Sequence, residues 1–221
     1  MKRNRRPPKN RPAAPALSPS EYVEAYVHFA TELCEEGDVD RALLALDKAL
    51  ALDPESATVL VNRGAVWFLK GRPRKAVSDF TRALKAQPSL STAYYNRAQA
   101  RVRLGHLRAA VRDFTRFLAL EPSDAEAFNN RAILHARTGN LKAALSDFNR
   151  SLGLQPDNME VYFNRGLVRF LIDDITGARA DLEAAIRHAP QDWPLLTKAE
   201  AVKAKLALIE TCRLGRPPAA E

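Results

Sequence analysis

The side chains of this chain that could do chemistry are four histidines, two cysteines and regularly placed arginines, aspartates and asparagines. His28, His106, His135 and His188 are scattered, and no Ser, Cys, Asp or Glu is read at a spacing that would pair it with one of them on a single helical face, so no general base or nucleophile is expected. Cys34 and Cys212 lie far apart and give neither a disulfide framework nor a metal-ligand spacing. No glycine-rich phosphate loop occurs. The expectation is a non-enzymatic protein with no cofactor, no metal and no small-molecule substrate.

The arginines and aspartates point to ion pairing instead. Arg63, Arg97, Arg131 and Arg165 are followed 16 residues later by Asp79, Asp113, Asp147 and Asp181, and one period earlier both places are apolar, Phe29 and Ala45. Because the two types occur together or not at all, the spacing predicts four partly buried structural Arg–Asp bridges, each inside its own unit and bidentate where geometry allows. Pairing across units would leave Arg63 facing Ala45. Each arginine follows an asparagine: Asn62, Asn96, Asn130 and Asn164 recur every 34 residues. An amide carries an acceptor and two donors, so a spaced row of them can hold the backbone of an extended peptide whatever its side chains.

The elements that must position these residues follow from the same period. Self-similarity at 34 residues predicts a stacked array of helical units rather than one closed globule. Ser18-Pro19-Ser20-Glu21 reads as a capping box opening a helix that runs to about Glu36. Gly37, Gly71, Gly105 and Gly139 supply the left-handed residue that ends each first helix, and Asp173 takes that place in the fifth copy, where a strained or differently shaped turn is expected. Second helices close at Pro54, Pro88, Pro122, Pro156 and Pro190. Within them Ala42, Ala76, Ala110, Ala144 and Ala178 form a small-residue column, with Leu46, Phe80, Phe114, Phe148 and Leu182 one turn later.

This pattern resembles the tetratricopeptide repeat family, whose units place small and aromatic residues as the third copy does at Tyr94, Ala98, Ala110, Phe114 and Pro122, and the second at Leu60, Gly64, Trp67, Ala76, Phe80, Ala83 and Pro88. The resemblance implies an all-α fold: a right-handed α-solenoid of five helix-turn-helix units, 23–56, 57–90, 91–124, 125–158 and 159–192, within residues 21–192. A capping helix over 193–212 follows, with Leu195, Ala199, Val202, Leu206 and Ile209 on one side and a dimerisation helix as the alternative reading. One departure from the family pattern stands out: copies three to five carry Arg101, His135 and Arg169 where an aromatic is usual, so packing there should be more polar.

On a helix turning about 100° per residue, Thr92, Tyr95, Asn96, Gln99 and Arg103 share one face, opposite Tyr94, Arg97, Ala98 and Arg101. The first face is expected to line the inner surface of the array, with Tyr95, Phe68, Phe163 and Leu171 as apolar contacts and Arg103 and Arg137 available to an acidic group. In the clamp that some tetratricopeptide co-chaperones use for acidic chaperone tails, lysine and asparagine flank the asparagine column. Here Val27, Thr31, Val61 and Ala65 stand there, so such tails are not expected as ligands.

Charge supplies the rival reading. The formal net charge is +8, and the first 20 residues hold six cations (Lys2, Arg3, Arg5, Arg6, Lys9 and Arg11) without an acid, so the rest is close to neutral. Five prolines in that stretch predict a disordered basic arm over 1–20, and a short tail is expected over 213–221. The arm, with Arg101, Arg103, Arg137 and Arg169, could contact nucleic acid. The preferred function is a protein-interaction adaptor that binds an extended segment of another protein. No apolar run approaches the roughly 18 residues of a membrane span and no secretory signal is visible, so a cytoplasmic address is the expectation.

Overall fold

The structure is a computed structural model and describes residues 18–213. Of the expected tail over 213–221, Arg213 is the last residue of the final helix and the rest lies outside the described residues, as does nearly all of the expected arm. Pro19 and Ser20 do not belong to an arm, because they form the first turn of α1 (Pro19–Glu35). The Ser18 hydroxyl accepts from the Glu21 amide at 3.3 Å while the Ser18 amide donates to the Glu21 carboxylate at 2.6 Å. The two bonds fix where the helix begins, and the Ser18 amide, with the Ser18 hydroxyl beside it, holds the Glu21 carboxyl below its ordinary range.

Ten further helices follow, and no strand occurs among the described residues: α2 (Val39–Leu52), α3 (Ala57–Leu69), α4 (Pro73–Ala86), α5 (Ser91–Arg103), α6 (Leu107–Leu120), α7 (Ala125–Arg137), α8 (Leu141–Leu154), α9 (Met159–Leu171), α10 (Ile175–His188) and α11 (Leu196–Arg213). Consecutive helices pair as antiparallel hairpins, α1 with α2 through α9 with α10, and the second helix of each hairpin also packs on the first helix of the next. Successive first helices (α1 and α3, α3 and α5, α7 and α9) approach each other more closely than successive second helices do. That asymmetry curves the α-solenoid and puts the first helices on its inner side.

The turn inside each hairpin is closed the same way. The residue after the left-handed position donates back to a carbonyl near the helix end: Asp38 to Leu33 at 2.8 Å, Arg72 to Trp67 at 2.8 Å, His106 to Arg101 at 2.9 Å, Asn140 to His135 at 2.8 Å and Asp174 to Arg169 at 3.0 Å. Asp173 takes φ 67° where Gly105 takes 74°. The fifth turn therefore keeps the shape of the other four, and the departure from glycine leaves a left-handed non-glycine backbone rather than a new conformation.

The alanine column is sealed. Ala42, Ala76, Ala110, Ala144 and Ala178 are all fully buried, with Phe80, Phe114 and Leu182 one turn on. A close helix-to-helix approach is made at Gly64 on α3, where a Cβ would stand 2.6 Å from Cε1 of Phe80. After α10, Trp193 is buried and its ring meets Phe163 edge to face at 5.8 Å, which brings α11 down on α10 with Ala199 and Leu206 inward. No described helix is long and apolar enough to cross a membrane.

Candidate functional site

Behind the inner surface runs a ladder of guanidinium groups. Arg63 reaches Asp79 with Nε at 2.8 Å and a terminal nitrogen at 2.7 Å; Arg97 reaches Asp113 at 3.0 and 2.7 Å, Arg131 reaches Asp147 at 2.7 and 2.7 Å, and Arg165 reaches Asp181 at 2.9 and 2.6 Å. Each bridge joins the two helices of one hairpin, and the aspartates are buried. The Arg63 guanidinium is held above its ordinary range, chiefly by Asp79 and against the opposing effect of burial.

The third nitrogen does what the sequence reading did not foresee. It crosses to the second helix of the preceding hairpin: Arg63 to Asp47 at 2.7 Å, Arg97 to Thr81 at 3.1 Å, Arg131 to Thr115 at 3.1 Å and Arg165 to Asn149 at 2.7 Å. Each arginine thus ties three helices, so its polar contacts are not confined to one unit. The signal was there: residues 47, 81, 115 and 149 also recur every 34 residues, lie 16 before each arginine, and all accept hydrogen bonds.

A second cation shares the same carboxylates. Arg101 donates to Asp113 at 2.6 Å and to the Ala109 carbonyl at 3.3 Å; Arg169 contacts Asp181 at 3.1 Å and the Gly177 carbonyl at 3.1 Å. His135 stands 4.0 Å from Asp147. Burial pulls both the Arg101 guanidinium and the His135 imidazole below their usual ranges, and for each the neighbouring aspartate opposes that effect. Arg101 and Arg169 are therefore engaged inside the hairpins and do not stand free for phosphates.

The histidines have carboxylate neighbours that the sequence reading passed over. His28 lies 3.4 Å from Glu32 one turn on, both exposed, and His188 lies 3.6 Å from Asp157 with its ring stacked on Tyr162 at 5.8 Å. Both are surface ion pairs when the imidazole is protonated.

The inner face forms a cleft of about 500 Å³ between α3 and α5, lined by Ala65, Phe68, Leu69, Tyr95, Asn96, Gln99 and Arg103 over Phe80. The Arg103 guanidinium lies 5.4 Å from the Phe68 ring centroid. Tyr95 packs edge-on against Phe114 at 5.5 Å and Phe117 at 5.1 Å, and its hydroxyl donates to Glu126 at 2.6 Å. Burial, reinforced by Glu126, pushes that phenol up to about 12. Asn130 donates to the Tyr95 oxygen at 3.3 Å, so this amide is already partly used. The side chains of Asn62, Asn96 and Asn164 make no hydrogen bond to another described residue. Arg137 and Leu171 are exposed.

Phe163 does not line the groove. It is 2 % exposed and forms part of the core beneath Trp193, with the Lys198 ammonium 5.8 Å from its ring. The segment that leads into α11 covers it, a long-range effect that the helical face of α9 alone could not reveal.

A larger cleft, about 870 Å³, opens at the N-terminal end between α1 and α3. Val23, Val27 and Val59 line it together with Glu24, Glu32, Glu35 and Asp53. This cleft escapes a reading of the sequence because valines at 23 and 27 have ordinary core spacing.

The tetratricopeptide repeat profile matches residues 29–91, 95–158 and 139–192. Tetratricopeptide repeat protein 28 of Mus musculus is 35% identical over 68 residues, 31% of this chain, which corresponds to 3% of that protein's length. Among solved structures, YrrB, described as a tetratricopeptide repeat protein with an unusual peptide-binding site, superposes with a TM-score of 0.73 at 26% identity, covering 85% of this chain and 98% of YrrB. The first repeat domain of Spaghetti (RPAP3), bound to the HSP90 peptide SRMEEVD, superposes with a TM-score of 0.53 at 27% identity over 54% of this chain and 98% of that one.

Proposed function

Because the chain belongs to the tetratricopeptide repeat family, we propose that it is a protein-interaction scaffold whose inner surface holds an extended segment of a partner. The observation that carries this reading is the cleft between α3 and α5, where the Asn96 amide has no partner among the described residues and stands beside Gln99, Arg103 and the apolar Phe68 and Leu69. Amides bind the partner's backbone, Phe68 and Leu69 take an apolar side chain, and Arg103 takes a carboxylate. The N-terminal cleft has the opposite sign, with an apolar floor and four carboxylates, so it favours a basic or apolar residue. The peptide is thus read with one end acidic and the other basic. A preformed receptor surface avoids most of the ordering cost on its own side. The peptide binding described for YrrB and for the Spaghetti domain supports the use of such a surface.

The test is an extended-peptide library screened against the full chain, against Asn62→Ala/Asn96→Ala, and against Arg103→Glu. Loss of the bound set with the first variant, and a switch from acidic to basic residues at one peptide position with the second, are expected. Identical sets for all three would overturn the reading.

A further inference from the structure

The outer wall of the array carries a charge pattern that the inner-surface reading does not use. On α4, α6 and α8 two cation rows recur with the 34-residue period: Arg74, Arg108 and Lys142 in the first turn, and Arg82, Arg116 and Arg150 two turns on, about 12 Å along each helix. All six are exposed, and none forms an ion pair with a described residue. Arg82 alone is tied, to the Pro54 carbonyl at 2.9 Å. Arg112 stands exposed between the rows on α6.

These cations have no counter-charge on their own helices. The acids of α4, α6 and α8 are Asp79, Asp113 and Asp147, all buried and each already bridged by an arginine from the paired first helix. The internal bridges thus leave the exposed faces of α4, α6 and α8 themselves with positive charge only, while Glu55, in the turn before α3, shares a hollow with Arg82 and Lys85. The near-neutral balance of the repeats conceals this, because the compensating carboxylates sit elsewhere, notably on α1 and its cleft. A segregated one-sign surface focuses a field that steers and holds a polyanion.

We propose that the outer wall formed by α4, α6 and α8 binds the phosphate backbone of a nucleic-acid duplex without reading its sequence. A duplex presents about one negative charge per 1.7 Å of axis, a density that can engage both rows at once. Five of the six ladder cations are arginines, which fork onto phosphate oxygens. Ser78 and Ser146 fill the gaps between the rows, so no aromatic platform for unstacked bases stands there, and exposed apolar chains are confined to Leu120 and Leu154 one turn beyond the second row. That composition favours a double helix over a single strand and over a lipid surface.

The experiment measures binding of the full chain to a mixed-sequence DNA duplex, a duplex RNA, a single strand, and vesicles containing phosphatidylserine, each across a salt series. The probes are met by wild type, by Arg74→Gln/Arg108→Gln/Lys142→Gln, by a variant with the six cations of residues 2–11 changed to Gln, and by Asn62→Ala/Asn96→Ala. Each lost phosphate contact lowers the salt slope by about 1, so the ladder variant should lose about 3 and bind duplex roughly tenfold or more weakly. Its circular dichroism should stay that of wild type, since all three sites are exposed. The asparagine variant should bind duplex like wild type, which separates this surface from the peptide cleft. The proposal is overturned if the ladder variant keeps wild-type affinity and slope, if the arm variant alone abolishes binding, or if only vesicles bind.

Discussion

Arg97 on α5 and Asp113 on α6 meet through two parallel hydrogen bonds of 3.0 and 2.7 Å, with the carboxylate buried and a second cation, Arg101, on one of its oxygens at 2.6 Å. The carboxylate therefore serves two arginines. Removing it leaves both cations in a half-buried site, whereas removing Arg97 leaves Asp113 still paired with Arg101. Asp113→Leu should cost about 3–5 kcal/mol and Arg97→Leu less. Urea unfolding of the two single variants and the double variant measures this, and a strongly non-additive cycle is expected; additive effects would mean that the two side chains do not share an interaction.

His135 makes stability depend on pH. Its folded pKa lies below the ordinary imidazole value because burial and Arg131 outweigh the attraction of Asp147. The unfolded chain therefore binds the proton more readily, so this residue's contribution is complete above the unfolded pKa, about 6.5, and is lost as pH falls below it. Chemical denaturation at pH 7.5 and 5.5 should show a larger acid-side loss for wild type than for His135→Gln. Equal losses would remove His135 from the account.

Two glycines should respond oppositely to the same change. A Cβ at Gly64 meets the Phe80 ring at 2.6 Å, so Gly64→Ala overpacks the contact between α3 and α4 and should cost about 1–3 kcal/mol. At Gly153 in α8 nothing lies within 4 Å, so Gly153→Ala should stabilise by about 0.5–1 kcal/mol through helix propensity. Thermal melts of the pair test this by their signs.

Trp193 is expected to hold the C-terminal helix in place. Trp193→Ala removes the ring that covers Phe163 and should cost about 3–5 kcal/mol. Hydrogen exchange should quicken in α11 and in the facing parts of α9 and α10 while α3 to α6 keep their protection. Uniform quickening across the chain would contradict a local role.

Much of the fold was written in local rules. The Ser18 cap, the glycines at 37, 71, 105 and 139 and the alanine column each answer a backbone or packing demand that one helix or turn poses by itself. Asp173 shows that even a substituted position follows the demand of its turn. The grouping of Asn96, Gln99 and Arg103 on one face likewise follows from helical periodicity. What was hidden depends on neighbours distant in sequence. Phe163 was assigned to the inner surface because nothing in α9 announces Trp193 above it. Thr81 and Asn149 form no single-type column, because the cross-unit acceptors differ in chemistry, Asp, Thr, Thr and Asn. The outer cation rows were hidden by an overall balance that sums charges without regard to side.

The joints between hairpins are not tied by the same bonds. The third guanidinium nitrogen grips Asp47 and Asn149 at 2.7 Å at the first and last of these joints, but the hydroxyls of Thr81 and Thr115 at 3.1 Å at the two between. Shorter bonds, and at Asp47 an ionised acceptor, resist shear more than a longer bond to a neutral hydroxyl does. The joint between α2 and α3 is therefore the one whose tie is ionic on both sides, and it is the joint whose grip salt should loosen first.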